Sequence, residues 1–169
     1  MIKVRLLRTT DDRSGFYSGD PDLDRFFMRY AGQNQFRYHI GTTYVAVESD
    51  IIKGFVTVSA STIEVDDLSS ARKKRFPQYP LPVLRLARLA VSEPDRNRGI
   101  GLTLLRSVFY LACEMSEKTG CIGVVVDAKP DAVGFYTRYG FEKLKVLQGT
   151  LADRPEPIPM FISLGAIPV

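Results

Sequence analysis

The sequence has no tryptophan, one histidine and two cysteines among its 169 residues. Cys113 and Cys121 lack C-x-x-C spacing, and His39 is far from both along the chain. So few soft ligands argue against a zinc site, and we expect no metal. Free cysteines are usually core residues, so we expect both to be buried, reduced thiols. His39 precedes the turn-forming Gly41 and is predicted to lie in a loop.

Long apolar runs are also missing. No run approaches the ~18 residues that predict a membrane span, and residues 2–5 alternate apolar and basic side chains, unlike a signal peptide. We therefore expect a cytoplasmic protein with no membrane partner. The length and the 45% hydrophobic content predict one domain over residues 1–169.

Acidic residues are outnumbered by basic ones. The chain has 23 Lys and Arg against 19 Asp and Glu, a formal net charge of +4, and its pI is near 9.1. Long-range attraction therefore favours an anionic partner. Phosphorylated cofactors and RNA both meet this description.

The hydrophobic pattern predicts a mixed α/β order without internal repeats. A first helix is expected to begin at Pro21, with Asp20 as its N-cap, and to carry a polar face of Arg25, Arg29, Gln33 and Arg37. Further helices are predicted over residues 101–118 and 131–139, and a short helix with a loop over 66–82. Strands are predicted over residues 2–7, 42–48, 53–63, 83–91, 122–127, 141–147 and 160–164.

The most informative segment spans residues 89–101, where a predicted strand runs into a glycine-containing loop that opens the longest helix. Glycines let backbone amides approach an anion, and a helix N-terminus favours pyrophosphate. The segment matches neither G-x-G-x-x-G nor a Walker loop. Glycine spacing alone is explained equally well by a plain tight turn.

Two motifs together narrow the interpretation. Arg96, Gly99 and Gly101 resemble the Arg/Gln-x-x-Gly-x-Gly/Ala signature of the GNAT acetyltransferases. Residues 134–142 resemble the second signature of that family, an aromatic-Tyr pair followed by Gly-Phe. The resemblance covers nearly the whole chain in element order. It implies an α/β GNAT acyltransferase fold: a mixed, mostly antiparallel central sheet, flanked by helices, whose fourth and fifth strands splay apart to admit acetyl-CoA.

The resemblance also implies residue roles in an acetyl-CoA-dependent N-acetyltransferase. Tyr136 would give a proton to the leaving CoA thiolate, and a backbone N–H near Val91 would serve the oxyanion. Without the two signatures, a helix tyrosine packed on the sheet would be the favoured interpretation of Tyr136. The residues implied to bind the cofactor are Leu89, Ala90, Val91, Arg96, Arg98, Gly99, Ile100, Gly101, Leu102 and Phe135.

The acceptor is suggested by the predicted fourth strand, which carries Arg85 and Arg88 and no carboxylate. Arginines there would repel polyamines and attract phosphate, although they could also simply be exposed charges beside the strand. Five stretches of the chain are similar to the tRNA-acetylating GNAT toxins of type II toxin-antitoxin systems; they are residues 16–26, 31–35, 42–46, 54–61 and 88–91.

The toxin resemblance implies acetylation of the α-amine of aminoacyl-tRNA, a ribbon-helix-helix antitoxin as partner, a homodimer, and a tRNA-binding surface with Arg29, Arg85 and Arg88. The C-terminal segment 149–159 and the tail after it are longer than the usual ending of that branch. Two alternatives stay open. One is a GNAT enzyme acting on a protein N-terminus, a lysine or a small amine. The other is a non-catalytic nucleic-acid-binding module.

Overall fold

The structure is a computed structural model that describes residues 1–144 and 157–168. Within these residues the sheet has seven strands in the order β1-β2-β3-β4-β5-β7-β6, with β4 and β5 parallel. The strands are β1 (Lys3–Leu6), β2 (Thr42–Glu48), β3 (Ile51–Ile63), β4 (Leu81–Val91), β5 (Gly123–Ala128), β6 (Glu142–Lys143) and β7 (Ile158–Ser163). The α-helices are α1 (Pro21–Arg29), α2 (Ser70–Lys73), α3 (Ile100–Lys118) and α4 (Val133–Arg138).

The predicted fold class, a mixed and mostly antiparallel sheet flanked by helices, is confirmed. The splay of the fourth and fifth strands stays a prediction. Among the residues described, none of the helices combines the length and the apolar character that crossing a membrane requires.

The chain divides into two compact units. The first unit comprises Met1–Ser59 and Leu86–Tyr110, and the second comprises Ala60–Arg85 and Leu111–Val169. Strands β3 and β4 and helix α3 contribute residues to both. The interpretation of residues 1–169 as one domain stays a prediction.

In the first unit, α1 begins as the sequence predicts. The Asp20 side chain accepts hydrogen bonds from the amides of Asp22 and Leu23, and Pro21 is the first helical residue. The helix ends at Arg29, however, and a π-helical turn follows over Gln33–Arg37. The predicted polar face is therefore shared by two elements: Arg25 and Arg29 lie on α1, and Gln33 and Arg37, which are also exposed, lie in the π-helical turn.

Strands β2 and β3 form the predicted antiparallel hairpin. Ser49 and Asp50 both have left-handed φ values, 51° and 62°, as a two-residue type I′ turn requires. Beside this hairpin, the ring of Phe27 from α1 stacks on Phe55 of β3 with centroids 4.3 Å apart. Phe16 packs edge-on against both rings. The aromatic cluster fixes α1 to the hairpin, since all three rings are buried.

In the second unit, β7 pairs antiparallel with both β5 and β6. Cys121 is buried as expected, but Cys113 is exposed. The prediction for Cys113 was wrong because the buried face of α3 runs through Leu105, Val108 and Ala112, and the next residue is rotated about 100° from that face. The predicted strand 141–147 beyond residue 144 and the C-terminal segment up to residue 156 lie outside the described residues.

Candidate active site

The predicted site residues fall in both compact units. The first unit holds the strand end, the glycine loop and the start of α3, together with Arg29 and Arg88. The second unit holds Arg85, Phe135 and Tyr136. The predicted cofactor residues of the first unit are brought together in one continuous segment, which runs from the end of β4 through the glycine loop into α3.

The glycine loop has a defined backbone. The Ser92 amide donates to the Lys53 carbonyl at 2.8 Å, and a 3₁₀ turn follows over Glu93–Asp95. Asn97 and Gly99 then adopt left-handed φ values of 65° and 77°. A Cβ at Gly99 would meet no atom within 4 Å, so glycine is required there by the backbone conformation and not by crowding.

Helix α3 begins with donors free of intrahelical partners. The Thr103 amide donates to the Gly99 carbonyl at 3.0 Å. The three amides that follow Gly99 and precede Thr103, those of Ile100, Gly101 and Leu102, have no acceptor inside the helix. These amides and the positive end of a 19-residue helix suit an anion such as pyrophosphate. The predicted cradle therefore fits the diphosphate of acetyl-CoA.

A charged network, which we call the loop brace, consists of Asp95, Arg98, Glu48, Lys53 and Ser92. Asp95 is only 8% exposed. It accepts hydrogen bonds from the Ser92 hydroxyl and from Arg98 Nη1 at 2.7 Å, and its Oδ2 lies 3.5 Å from Lys53 Nζ. Arg98 Nη2 donates to both Glu48 oxygens at 3.0 and 3.1 Å. The brace thus ties the glycine loop to the β2–β3 hairpin.

The brace shifts the ionisation of its members. The Ser92 hydroxyl, and after it the Arg98 guanidinium, hold the pKa of Asp95 below its usual value. Hydrogen bonds to Glu48 and Asp95 raise the pKa of Arg98. Arg98 is therefore engaged by carboxylates, and the Arg96 guanidinium donates to the Ser18 carbonyl. The loop's backbone, more than these two side chains, is available to an anion.

Sequence reasoning did not identify Asp95 or Glu48 as part of the site. Glu48 lies 50 residues before Arg98 in the chain, so no local pattern links the two.

The close packing at Gly54 could have been predicted from the sequence, since an isolated glycine in a strand often marks close backbone approach. A Cβ at Gly54 would lie 3.0 Å from the Ala90 carbonyl oxygen and 3.2 Å from Ile100 Cγ2. Glycine there lets the start of α3 pack against β3.

We expect Asp95→Asn to raise the KM for acetyl-CoA by about three- to tenfold with little change in kcat, because it removes a charge that positions the loop rather than a reacting group. The pKa of Asp95 is lowered. The stabilisation of the loop by the Asp95 carboxylate is therefore fully present above the ordinary pKa of an aspartate, and it is lost as the pH falls through the lowered pKa. Acetyl-CoA affinity should therefore not change through this group between pH 6 and 9. Steady-state kinetics on the variant and on Glu117→Gln, an exposed carboxylate of α3, provide the check. Equal KM values for acetyl-CoA in both variants would show that Asp95 does not position the loop for cofactor binding.

Tyr136 lies on α4 in the second unit and is 5% exposed. Its ring packs edge-on against Phe135 and Phe141 with centroids 5.2 and 5.3 Å away. Gly140, with a φ of 103°, ends the helix, and a Cβ there would lie 3.1 Å from Ile162 Cδ1. Burial raises the Tyr136 pKa, so its phenol stays protonated at neutral pH and can act as a proton donor.

The three predicted acceptor-side arginines differ in their surroundings. Arg85 Nη1 donates to Asp127 Oδ2 at 2.7 Å, and its Nε donates to the Ser61 hydroxyl at 3.4 Å. The Arg88 guanidinium lies 3.9 Å from the centroid of the buried Phe26 ring, and desolvation there lowers its pKa. Arg29 is exposed in the last turn of α1. Sequence reasoning missed Asp127, which brings a carboxylate from β5 to Arg85 of β4.

The acetyltransferase (GNAT) domain family matches residues 39–143. A tRNA-acetylating toxin of Mycobacterium tuberculosis is 28% identical over 139 residues, 82% of this chain and 82% of the toxin. A mutant of KacT has a TM-score of 0.85 at 24% identity, covering 98% of this chain and 96% of KacT. AtaT complexed with acetyl-methionyl-tRNAfMet has a TM-score of 0.84 at 22% identity, with the same coverage. A mutant AtaT bound to acetyl-CoA and the C-terminus of the antitoxin AtaR has a TM-score of 0.76 at 20% identity, covering 98% and 94%.

The chain therefore belongs to the GNAT acetyltransferase family. It is an acetyl-CoA-dependent N-acetyltransferase. In residues 1–144 and 157–168, no group of three or more His, Cys, Asp or Glu side chains is placed to hold a metal ion.

Proposed function

We propose that this enzyme is a toxin that acetylates the α-amine of aminoacyl-tRNA and so blocks translation. The observation that carries the proposal is its similarity to a tRNA-acetylating toxin over 82% of both chains. The fold shared with AtaT, which has been captured with acetyl-methionyl-tRNAfMet, supports it.

Separate groups of this chain bind the cofactor and supply the proton. The amides of Ile100, Gly101 and Leu102, together with those of Arg98 and Gly99, bind the pyrophosphate of acetyl-CoA, and the brace around Asp95 holds them in place. Main-chain groups of Leu89, Ala90 and Val91 bind the pantetheine arm, and Phe135 lines its cleft. Bound acetyl-CoA supplies a thioester whose acetyl group passes to the amine. Tyr136 holds the proton that the departing sulfur takes up.

The acceptor side favours a phosphate-bearing substrate over a small cation. Arg29 is exposed and Arg88 lies on a ring face, so both present positive charge. Strand β4 itself carries no carboxylate that could bind a polyamine. Arg85 contributes less, because Asp127 already compensates its charge. We therefore assign the tRNA-binding role mainly to Arg29 and Arg88, and a smaller part of it to Arg85.

The runner-up function is acetylation of a protein N-terminus, a lysine or a small amine. One observation favours it, since β5 brings the Asp127 carboxylate to Arg85 of β4, and a carboxylate near an amine acceptor can act as a general base. Expressing the chain alone in bacteria separates the two functions. A translation-blocking toxin arrests growth, and the arrest disappears in Tyr136→Phe. Unimpaired growth with an active, folded protein would favour the runner-up.

If Arg29 and Arg88 bind phosphates, tRNA affinity should fall steeply with salt, and each lost contact should reduce the log-log slope by about 0.7 to 0.9. Arg29→Glu and Arg88→Glu should therefore weaken tRNA binding while leaving acetyl-CoA binding unchanged. Arg106→Glu, a charge reversal at an exposed position of α3, is the matched control. Filter binding between 50 and 200 mM salt measures all three variants. Identical slopes for the site variants and the control would exclude these contacts.

A toxin of this kind requires an inhibitor, and we extend the proposal to a ribbon-helix-helix antitoxin as partner, to a homodimer, and to the cytoplasm, where charged tRNA is found. The complex of AtaT with the C-terminus of AtaR supports the antitoxin assignment. Light scattering of the purified chain tests the dimer directly.

A further inference from the structure

One stretch of the first unit is unusual in composition. Residues 25–47 contain three arginines and the single histidine but no Asp or Glu. The same stretch exposes large side chains that a folded domain would normally bury. Tyr30 is 45% exposed, Phe36 40%, Tyr38 48% and Ile40 63%. Arg25 is paired with Asp22 at 3.6 Å. Arg29 and Arg37 belong to the same stretch as the exposed rings, and arginines beside exposed aromatic side chains are typical of a binding surface.

The backbone holds these rings in a fixed arrangement. Phe36 lies in the π-helical turn Gln33–Arg37, a rare conformation that is frequent at functional sites. Gln35 anchors the turn, because its Nε2 donates to the Leu7 carbonyl at 3.2 Å and its Oε1 accepts from the Thr43 amide at 2.8 Å. The Ile40 amide donates to the Asn34 carbonyl at 3.0 Å, across a left-handed His39 with a φ of 54°. The exposed rings are thus presented by a secured turn.

The chemistry of this turn matches unpaired nucleotides better than a protein partner. Flat aromatic rings stack on bases of any sequence, and arginines beside them track the phosphates. The Arg37 guanidinium lies 5.4 Å from the Tyr38 ring centroid, so charge and ring are presented together. Aromatic and arginine side chains are also enriched at protein interfaces, so a protein interface is the alternative that the experiment below distinguishes.

We propose that Phe36, Arg37 and Tyr38 form a stacking surface for unpaired RNA bases, and that its ligand is the single-stranded 3′ end of aminoacyl-tRNA. This inference rests on the proposed function, since the amino acid to be acetylated is carried on that single-stranded end. The surface would distinguish charged tRNA from an amine lacking nucleotides.

Because the chain has no tryptophan, Phe36→Trp places a single fluorescent reporter in the surface while keeping an aromatic ring. We expect its emission to be quenched by a single-stranded RNA hexamer ending in CCA and not by a blunt RNA duplex with the same number of phosphates. Phe36→Ala and Tyr38→Ala should each raise the Kd for the hexamer about tenfold. Tyr110→Ala, which removes a 78% exposed tyrosine from α3, should leave it unchanged.

Equal quenching by hexamer and duplex, or equal Kd values for the alanine variants and the Tyr110 control, would overturn the stacking surface. A change of oligomeric state in Phe36→Ala, without a change in hexamer affinity, would assign the rings to a protein interface instead. The proposed function fails separately, if charged tRNA is not acetylated by the wild type while hexamer binding still depends on Phe36.

Discussion

Tyr136→Phe is expected to lower kcat by roughly 10²-fold or more while leaving acetyl-CoA affinity nearly intact. The substitution removes only the hydroxyl, and the ring keeps its packing against Phe135 and Phe141. Burial raises the pKa of this phenol, so in the wild type its protonated form persists to higher pH than for an exposed tyrosine. Wild-type kcat should therefore show no decline from Tyr136 ionisation up to about pH 9.

Stopped-flow or steady-state release of CoA measures the effect, and calorimetry measures the acetyl-CoA affinity. Tyr139→Phe is the matched control, because Tyr139 caps the same helix and also packs on Phe135. A Tyr136→Phe enzyme with wild-type turnover would leave Tyr136 as a packing residue and require another proton donor.

Gly101→Glu is expected to abolish acetyl-CoA binding, with an affinity loss of about 10²-fold or more. Gly101 is the second residue of α3, so the new carboxylate would stand where the amides face the pyrophosphate. The helix itself should tolerate the change, since a glutamate in the first turn is favoured over glycine by propensity and by the helix dipole. Loss of binding would therefore come from repulsion and bulk rather than unfolding.

Calorimetric titration with acetyl-CoA, beside a thermal melt, tests this expectation. Gly101→Ala adds a side chain without charge and separates the steric effect from the electrostatic one. Unchanged affinity in Gly101→Glu, or a requirement for a divalent metal in the wild type, would disprove the pyrophosphate assignment of this loop.

Local signals in the sequence explain which parts of this fold could be predicted. Asp20 followed by Pro21 marks a helix start by hydrogen bonding and ring geometry, and Ser49-Asp50 between two apolar runs marks a hairpin turn. The apolar face of α3 is long enough to be unmistakable. The family could be recognised because the loop and the Tyr136 segment both carry short motifs whose residues are close in sequence.

The features that could not be predicted depend on contacts between distant positions. Glu48 of β2 contacts Arg98 of the glycine loop, and Asp127 of β5 contacts Arg85 of β4, so these partners are 50 and 42 residues apart in the sequence. Gln35 of the π-helical turn hydrogen-bonds to the backbone of Leu7 and Thr43, and no helical period in the sequence reveals these contacts. The prediction that Cys113 is buried was wrong because it was based on the usual burial of free cysteines. The position of Cys113, one residue beyond the buried face of α3, was not taken into account.

The central claim is that the acceptor is the α-amine of aminoacyl-tRNA. Incubation of the enzyme with labelled acetyl-CoA and a total charged tRNA pool, with free amino acids, polyamines and protein in parallel reactions, tests it most directly. Label should appear on the charged tRNA, should be released by mild alkali as an N-acetyl amino acid, and should be lost in Tyr136→Phe. Label found only on polyamines or protein would contradict the account.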